Sequence, residues 1–354
     1  MKFDKLLEAA RKHNASDMHL VVGLPPALRV SGEIIMARGH ELTPATIEGL
    51  VEEILNNEQK KTLKATMQLC FSMNHETFGR FRISIYFRSG HPEMAVRVCN
   101  DRIKNKQELS LPKEIDQFLT KPSGLILITG PTGVGKTTTM NYMIDFINSS
   151  RRCKIVTIED PVEFQHQHKN AIVIQQELYT DVTSFPDALV HVLRQDPDVI
   201  AIGEMRNFET ISTALTAAET GHLVIATLHT PDVAQTMERI IGVYPPAQQG
   251  QVLIQLGNSL QGVISQQLVQ TVDQKNRVLA YELLICTTAA RNVIRQNECY
   301  KLMNIIETGS THGMKTMDHS LMELYEKGMI SYDAMLSRCS RPEEVRKKYN
   351  KNNV

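Results

Sequence analysis

The sequence predicts an α/β chain: a parallel, doubly wound sheet at its centre, a small α+β domain before it and a helical region after it. Three observations point there. Residues 130–137, GPTGVGKT, fit the phosphate-loop pattern G-x-x-x-x-G-K-[ST] between an apolar run and a helical pattern. From about Lys113 onward, short apolar runs alternate with helical patterns. Before that point, strand-like runs are separated by turn residues and one helical stretch.

The elements follow in order. Phe3, Leu6, Leu7 and Ala10 recur at helical spacing, so an amphipathic helix opens the chain. Strand-like pieces follow at 18–22 and 27–30, and Ser31-Gly32 turns the second into 33–37 as a hairpin. Thr43-Pro44 starts a helix whose pattern runs to about Met67. Three more strands read at 69–74, 78–88 and 93–98. In the middle one, Phe81, Ile83, Ile85 and Phe87 face one way, while Arg80, Arg82, Ser84, Tyr86 and Arg88 face the other. Residues 1–99 form the first domain, and the polar, proline-ended stretch 100–112 is the linker. In 113–287, strands at 125–129, 154–158, 199–203 and 223–227 alternate with helices at 138–147, 185–194 and 208–220. Ligands of such sheets sit at the carboxyl ends of the strands. The tail, 288–354, is mostly helical.

Composition narrows the function classes. A chain of 354 residues can build two or three cores. Lys plus Arg number 39 and Asp plus Glu number 39, so bulk charge favours neither nucleic acid nor an anionic membrane. No run approaches the roughly 18 apolar residues of a membrane span. The opening MKFDKLLEAARKHN has periodic apolar positions instead of a signal-peptide block, so a cytoplasmic chain is expected. Six scattered cysteines (Cys70, Cys99, Cys153, Cys286, Cys299, Cys339) without a C-x-x-C pair read as small hydrophobes, not as zinc or disulfide sites.

The motifs carry the chemistry. Gly130, Pro131, Thr132, Gly133, Val134, Gly135, Lys136, Thr137 and Thr138 are the expected nucleotide contacts. Backbone N–H groups of such a loop cradle phosphate oxygens, and the new helix adds the positive end of its dipole. Lys136 can reach the β- and γ-phosphates, and the Thr137 hydroxyl can bind Mg²⁺. The box TIEDPVEF at 157–164 places Glu159, Asp160 and Glu163 at a strand end. Glu163 is suited to activate the attacking water, and Glu159 and Asp160 to bind metal or organise the loop; a solvated acidic loop is the alternative. In AIGEMR, 201–206, Gly203 occupies the usual aspartate position and Glu204 supplies the acid. Glu204 either holds Mg²⁺ through water or simply pairs with Arg206. His222 and His229 bracket one strand in GHLVIATLHT, 221–230, as structural residues or as γ-phosphate sensors. Arg80, Arg82 and Arg88, with Arg97 on the next strand, form either a solvated face or arginines that reach a neighbouring subunit's phosphates.

In this order, the loop, the acidic box, GEMR and the histidine box resemble the secretion ATPase superfamily over nearly the whole chain. Within it the chain is similar to the retraction ATPases of type IV pili. SDMHL at 16–20, GRFR at 79–82 and AARNVIR at 289–295 resemble that branch's SDLHL, GRFR and AIRNLIR segments. Met18, Asn207, Ala290 and Val293 depart from the pattern, and Ala290 shrinks an apolar helix position. Assembly-type relatives usually carry a longer N-terminal region and a tetracysteine element, and neither is seen here.

The resemblance implies a RecA-like P-loop ATPase core with an N-terminal PAS-like domain and a helical C-terminal region. It implies a homohexamer that uses ATP and Mg²⁺ and bears on an inner-membrane pilus platform protein at the cytoplasmic face. The implied work is pilin depolymerisation, supporting twitching motility or DNA uptake, with no direct nucleic acid binding. Pilus assembly or type II secretion is the alternative within the fold. A nucleotide-dependent scaffold without turnover is the alternative outside enzymes.

Overall fold

Phe3, Leu6, Leu7 and Ala10 bury one stripe of the opening helix α1 (Phe3–Lys12). The computed structural model describes residues 2–30, 32–99 and 102–350. Ser31 of the expected hairpin turn and residues 100 and 101 of the expected linker lie outside the described residues. The chain divides into two units, Met1–Arg102 with Pro161–Gln165, and Ile103–Asp160 with His166–Val354.

In the first unit, α1 precedes strands β1 (Asp17–Leu20), β2 (Ala27–Val30) and β3 (Glu33–Met36). Helices α2 (Pro44–Ile54) and α3 (Asn57–Thr66) lead to β4 (Gln68–His75), β5 (Gly79–Arg88) and β6 (His91–Val98). The six strands pair in the order β3-β2-β1-β6-β5-β4, each pair antiparallel. Phe81, Ile83 and Ile85 of β5 are fully buried, and the three helices supply Leu7, Ile47, Leu50 and Leu63 to the same core. Burying each large side chain contributes roughly 1.5–3 kcal/mol.

The single helix expected from Thr43 to Met67 is two helices. Asn56 accepts hydrogen bonds from the N–H groups of Glu58 and Gln59, and the Gln59 side chain accepts one from the Asn56 N–H. That reciprocal cap starts a new helix after Leu55, whose backbone is extended. Apolar periodicity continued through the break and concealed it.

The second unit opens with α4 (Ile115–Leu119), β7 (Gly124–Thr129), α5 (Lys136–Ser150), β8 (Lys154–Glu159) and β9 (Ile172–Glu177). Next come α6 (Phe185–Val192), β10 (Val199–Ile202), α7 (Phe208–Glu219) and β11 (Leu223–Leu228). Helices α8 (Val233–Gly242) and α9 (Pro246–Ser259) precede a long hairpin of β12 (Leu260–Gln270) and β13 (Arg277–Ile285). The tail holds α10 (Thr288–Arg295), α11 (Leu302–Thr308), α12 (Met317–Glu326), α13 (Tyr332–Leu336) and α14 (Pro342–Asn350).

The sheet runs β13-β12-β7-β11-β10-β8-β9. It is parallel except that β13 lies antiparallel to β12, so the sheet is mixed and not purely parallel as expected. Sequence pattern alone does not mark the hairpin or β9 as strands. Leu260 follows α9 with no turn residue to mark a change of period, and β9 is a half-buried edge. Alternate residues of the central strands feed two cores. Leu125, Leu127, Val156 and Ile200 meet α6 to α11 on one face, while Ile126, Ile128, Ile155 and Ile225 meet α4 and α5 on the other. Met317, Leu321, Met335 and Val345 of the tail pack on Val269 and Ala280 of the hairpin.

Candidate active site

Strand β7 is buried along its whole length and delivers the loop at its carboxyl end. Gly130, Gly133 and Gly135 take φ of 132°, 81° and 90°, the region that favours glycine. At Gly130 a Cβ would stand 2.3 Å from the Gln266 carbonyl oxygen of β12. The neighbouring strand thus lies flat against the loop. Thr129 Oγ1 and Ser265 Oγ are 2.7 Å apart, and Gln266 Nε2 donates to Thr139 Oγ1 at 2.7 Å. These β12 contacts had no signal in the sequence, because they join residues more than a hundred positions apart.

Helix α5 starts at Lys136 with Gly135 as its N-cap, which has no side chain to accept from the first turn. The N–H donors of Lys136, Thr137 and Thr138 therefore suit an anion. Lys136 is 7 % exposed, and its ammonium donates to the carbonyls of Gly130 (2.6 Å) and Pro131 (2.9 Å) within its own loop. Burial lowers its pKa, and the charge of Glu204 opposes that shift. Pro131, Thr132 and Gly133 are exposed, Val134 is buried, and Thr137 and Thr138 are half-buried. This donor set fits a nucleoside polyphosphate.

Glu204 follows β10. A Cβ at Gly203 would lie 3.2 Å from the Ile158 carbonyl oxygen and 3.3 Å from Glu159 Cα, so the usual acid position is crowded by β8. The Glu204 carboxylate is 2.7 Å from Arg206 and 3.2 Å from His229 Nε2. Burial pushes its pKa up, but the hydrogen bonds from Arg206 and His229 and the Arg206 charge hold it below the ordinary range. His229 follows β11, and its Nδ1 lies 3.2 Å from Lys136 Nζ and 3.3 Å from Thr132 Oγ1. Thr227 Oγ1 donates to the Gly203 carbonyl, and the Met205 N–H donates to the Thr227 carbonyl at 3.0 Å, fastening the two strand ends together. Lys136, Thr132, Glu204, Arg206 and His229 thus form one cluster.

Among the described residues no group of three His, Cys, Asp or Glu is placed to hold a metal. A Mg²⁺ ion at this site would take ligands from Thr137, phosphate oxygens and water, with Glu204 acting through water, which is how that ion usually binds.

The structure does not bring His222 to this cluster. It precedes β11, at the opposite end of the strand from His229, about 20 Å away at ~3.3 Å per residue. Its Nδ1 lies 3.0 Å from the Ala217 carbonyl. Within this unit only His229 reaches the cluster, because one strand cannot present both ends to one ligand.

Glu159 is buried and accepts from Thr157 Oγ1 (2.7 Å) and Gln175 Nε2 (3.0 Å), organising β8 and β9. Glu163 belongs to the first unit. It is exposed by area, yet crowding by protein raises its pKa while Arg82 and Arg97 pull it back. In the same unit Arg80 Nε donates to the Val162 carbonyl at 2.6 Å, and Arg82 Nε approaches Cys70 Sγ at 3.3 Å. Arg97 pairs with Asp17 at 2.9 Å, and Arg88 pairs with Glu93 at 2.6 Å. In the tail motif, Arg291 donates to the Gly257 (2.8 Å) and Asn258 (2.7 Å) carbonyls at the C-terminus of α9.

A doubly covered sheet whose first strand lies between β11 and β12, carrying a P-loop against a strand-end acid, defines a RecA-type P-loop nucleotide-binding protein. Residues 80–348 match the family model described as "Type II/IV secretion system protein". The chain belongs to this family. It is 38% identical over 343 residues to the type IV pilus retraction ATPase PilT of Pseudomonas aeruginosa, covering 97% of this chain and 99% of that protein. It is 39% identical over 320 residues to a twitching motility protein of Neisseria gonorrhoeae, covering 90% and 86%. The crystal structure of the pilus retraction motor PilT with bound ADP superposes with a TM-score of 0.92 at 40% identity, covering 98% and 99%.

Proposed function

We propose that this chain is a hexameric ATP-hydrolysing motor that powers type IV pilus retraction. The observation that carries the reading is His229, which touches both the P-loop lysine and Glu204 in a chain alike end to end to a retraction ATPase. The protein is an ATPase. The loop amides and Lys136 bind the β- and γ-phosphates; Thr137 and, through water, Glu204 would hold Mg²⁺, which would supply charge neutralisation at the phosphates. Glu163 orients and deprotonates the attacking water. Arg82 and Arg97 supply positive charge to the phosphates of a neighbouring subunit in the ring. Arg97 is itself largely exposed, and to do so it would give up its 2.9 Å pair with the mostly buried Asp17. The motor works at the cytoplasmic face of the inner membrane on a pilus platform protein, and among the described residues no helix is long and apolar enough to cross a membrane.

The test has two parts. Purified wild type hydrolyses ATP, and Glu204→Ala and Lys136→Ala do not; equal background rates for all three refute the enzyme. A deletion strain becomes hyperpiliated and non-motile. Loss of surface pili in that strain would instead assign the chain to assembly.

A further inference from the structure

Strand β8 ends at Glu159, and two residues later the chain has entered the first unit, where Pro161–Gln165 packs before His166 returns. Pro161 and Val162 are buried there. The Val162 carbonyl accepts from Arg80 Nε at 2.6 Å, the shortest range for an N–H···O bond and one strengthened by the donor's charge. Arg80 is rigidly based. It lies on β5, whose register is set by the buried Phe81, Ile83 and Ile85, and its own carbonyl accepts from the Cys99 N–H at 3.0 Å. Arg11 Nε donates to the Phe78 carbonyl at 2.7 Å and braces the start of the same strand. Glu163 follows Val162 directly, and its carboxyl feels Arg82 and Arg97 from β5 and β6.

We propose that Arg80 is a positioning residue for Glu163. By holding the Val162 carbonyl it fastens the acidic segment to the N-terminal unit, so that unit, and not the P-loop sheet, sets where the carboxylate stands. The inference rests on the reading of Glu163 as the residue that orients water. It separates Arg80 from Arg82 and Arg97: Arg80 acts on the segment, not on phosphate. A displaced carboxylate slows the chemical step without weakening nucleotide binding, since a misplacement of about 1 Å can cost about 100-fold.

The test uses full-length Arg80→Ala, Arg80→Lys, Glu163→Gln and the Arg80→Ala/Glu163→Gln double variant. Steady-state ATP hydrolysis, binding of a fluorescent ATP analogue and amide exchange of 158–166 are measured on each. Arg80→Ala is expected to lower kcat about 10–100-fold, to leave KM and nucleotide Kd within about threefold, and to speed exchange across 161–165. Arg80→Lys recovers part of kcat, because an ammonium can still donate once to the carbonyl. In the Glu163→Gln background, Arg80→Ala adds no further loss, since both act through one carboxylate. A tenfold weaker nucleotide Kd, or multiplied defects in the double variant, assigns Arg80 to phosphate and overturns the proposal. Unchanged kcat or unchanged exchange also overturns it. If Glu163→Gln itself turns over like wild type, the reading of Glu163 fails, and exchange alone decides whether Arg80 holds the segment. Should Arg80→Ala not fold, Arg80→Lys is read by the same kcat, Kd and exchange criteria.

Discussion

His229 Nδ1 lies 3.2 Å from Lys136 Nζ, while the other ring nitrogen lies 3.2 Å from Glu204 Oε1. One proton arrangement satisfies both contacts. A neutral ring with the proton on Nε2 donates to the carboxylate and accepts from the ammonium at Nδ1. An imidazolium would place a second cation against Lys136. The ring therefore ties the loop lysine to the acid of another strand, and a phosphate that draws Lys136 away from the Gly130 and Pro131 carbonyls must also act on His229.

His229→Ala should therefore lower kcat about 100-fold, the scale of a lost positioned proton or charge partner. His222→Ala should stay within about threefold of wild type, because its ring meets the end of α7 and not the P-loop. Steady-state hydrolysis on both variants checks this, and a comparable loss in each would place His222 in the reaction, through a neighbouring subunit.

Gly130→Ala should destabilise the second unit by about 3 kcal/mol or more, combining a positive φ with a Cβ 2.3 Å from a backbone oxygen. Neither the loop nor β12 can move aside without breaking a parallel ladder. Thermal melting reads the loss, and nucleotide binding should fall with it. A variant as stable as wild type would mean that β12 does not press on the loop in solution.

Two buried groups give stability opposite pH slopes. Glu282 is 2 % exposed and accepts from the Val233 N–H (2.9 Å) and the Met317 N–H, so the first amides of α8 and α12 converge on it. Burial, helped by Asp232, pushes its pKa from 4.5 to about 7 despite those donors. The fold holds this proton more tightly than the unfolded chain, so its contribution is present at low pH and lost as pH rises toward 7. His166 is 8 % exposed, with Nε2 2.8 Å from Asn141 Oδ1, and burial lowers its pKa from 6.5 to about 4. Its contribution is present above pH 6.5 and lost as pH falls. Relative to wild type, the melting temperature of Glu282→Gln should rise from pH 5 to pH 8, and that of His166→Gln should rise as pH falls over the same range. A difference that stays flat with pH would show that the group titrates as it does in the unfolded chain.

Arg291→Ala should cost about 1–2 kcal/mol, the scale of charged hydrogen bonds to helix-end carbonyls. The carbonyls of Gly257 and Asn258 have no partner further along α9, because that helix ends at Ser259. Arg291→Lys should restore part of the loss. Melting curves check this, and hydrolysis measured beside them tells whether α9 transmits the damage through β12 to the P-loop.

Part of this molecule is announced by local chemistry. GPTGVGKT marked the nucleotide loop because its glycines and lysine have no other common use together, and the buried runs beside it marked their strands. The alternation of Phe81, Ile83 and Ile85 placed the arginines on one face of β5 before any fold was known. Glu204 was legible as the acid because it is the only one after its strand. Whatever depends on partners far apart in the chain emerges only once the sheet closes. That β12 lies beside β7 and rules out a side chain at Gly130 follows from the closing of the sheet, not from either segment. That His229 and not His222 reaches Lys136 follows from β11 lying parallel beside β7, a pairing that joins segments nearly a hundred residues apart. The cap at Asn56 and the turnless change from α9 to β12 escaped because apolar periodicity runs through both. The passage of Pro161–Gln165 into the first unit was invisible for a related reason: an acidic box reads the same whichever core its backbone hydrogen bonds join it to.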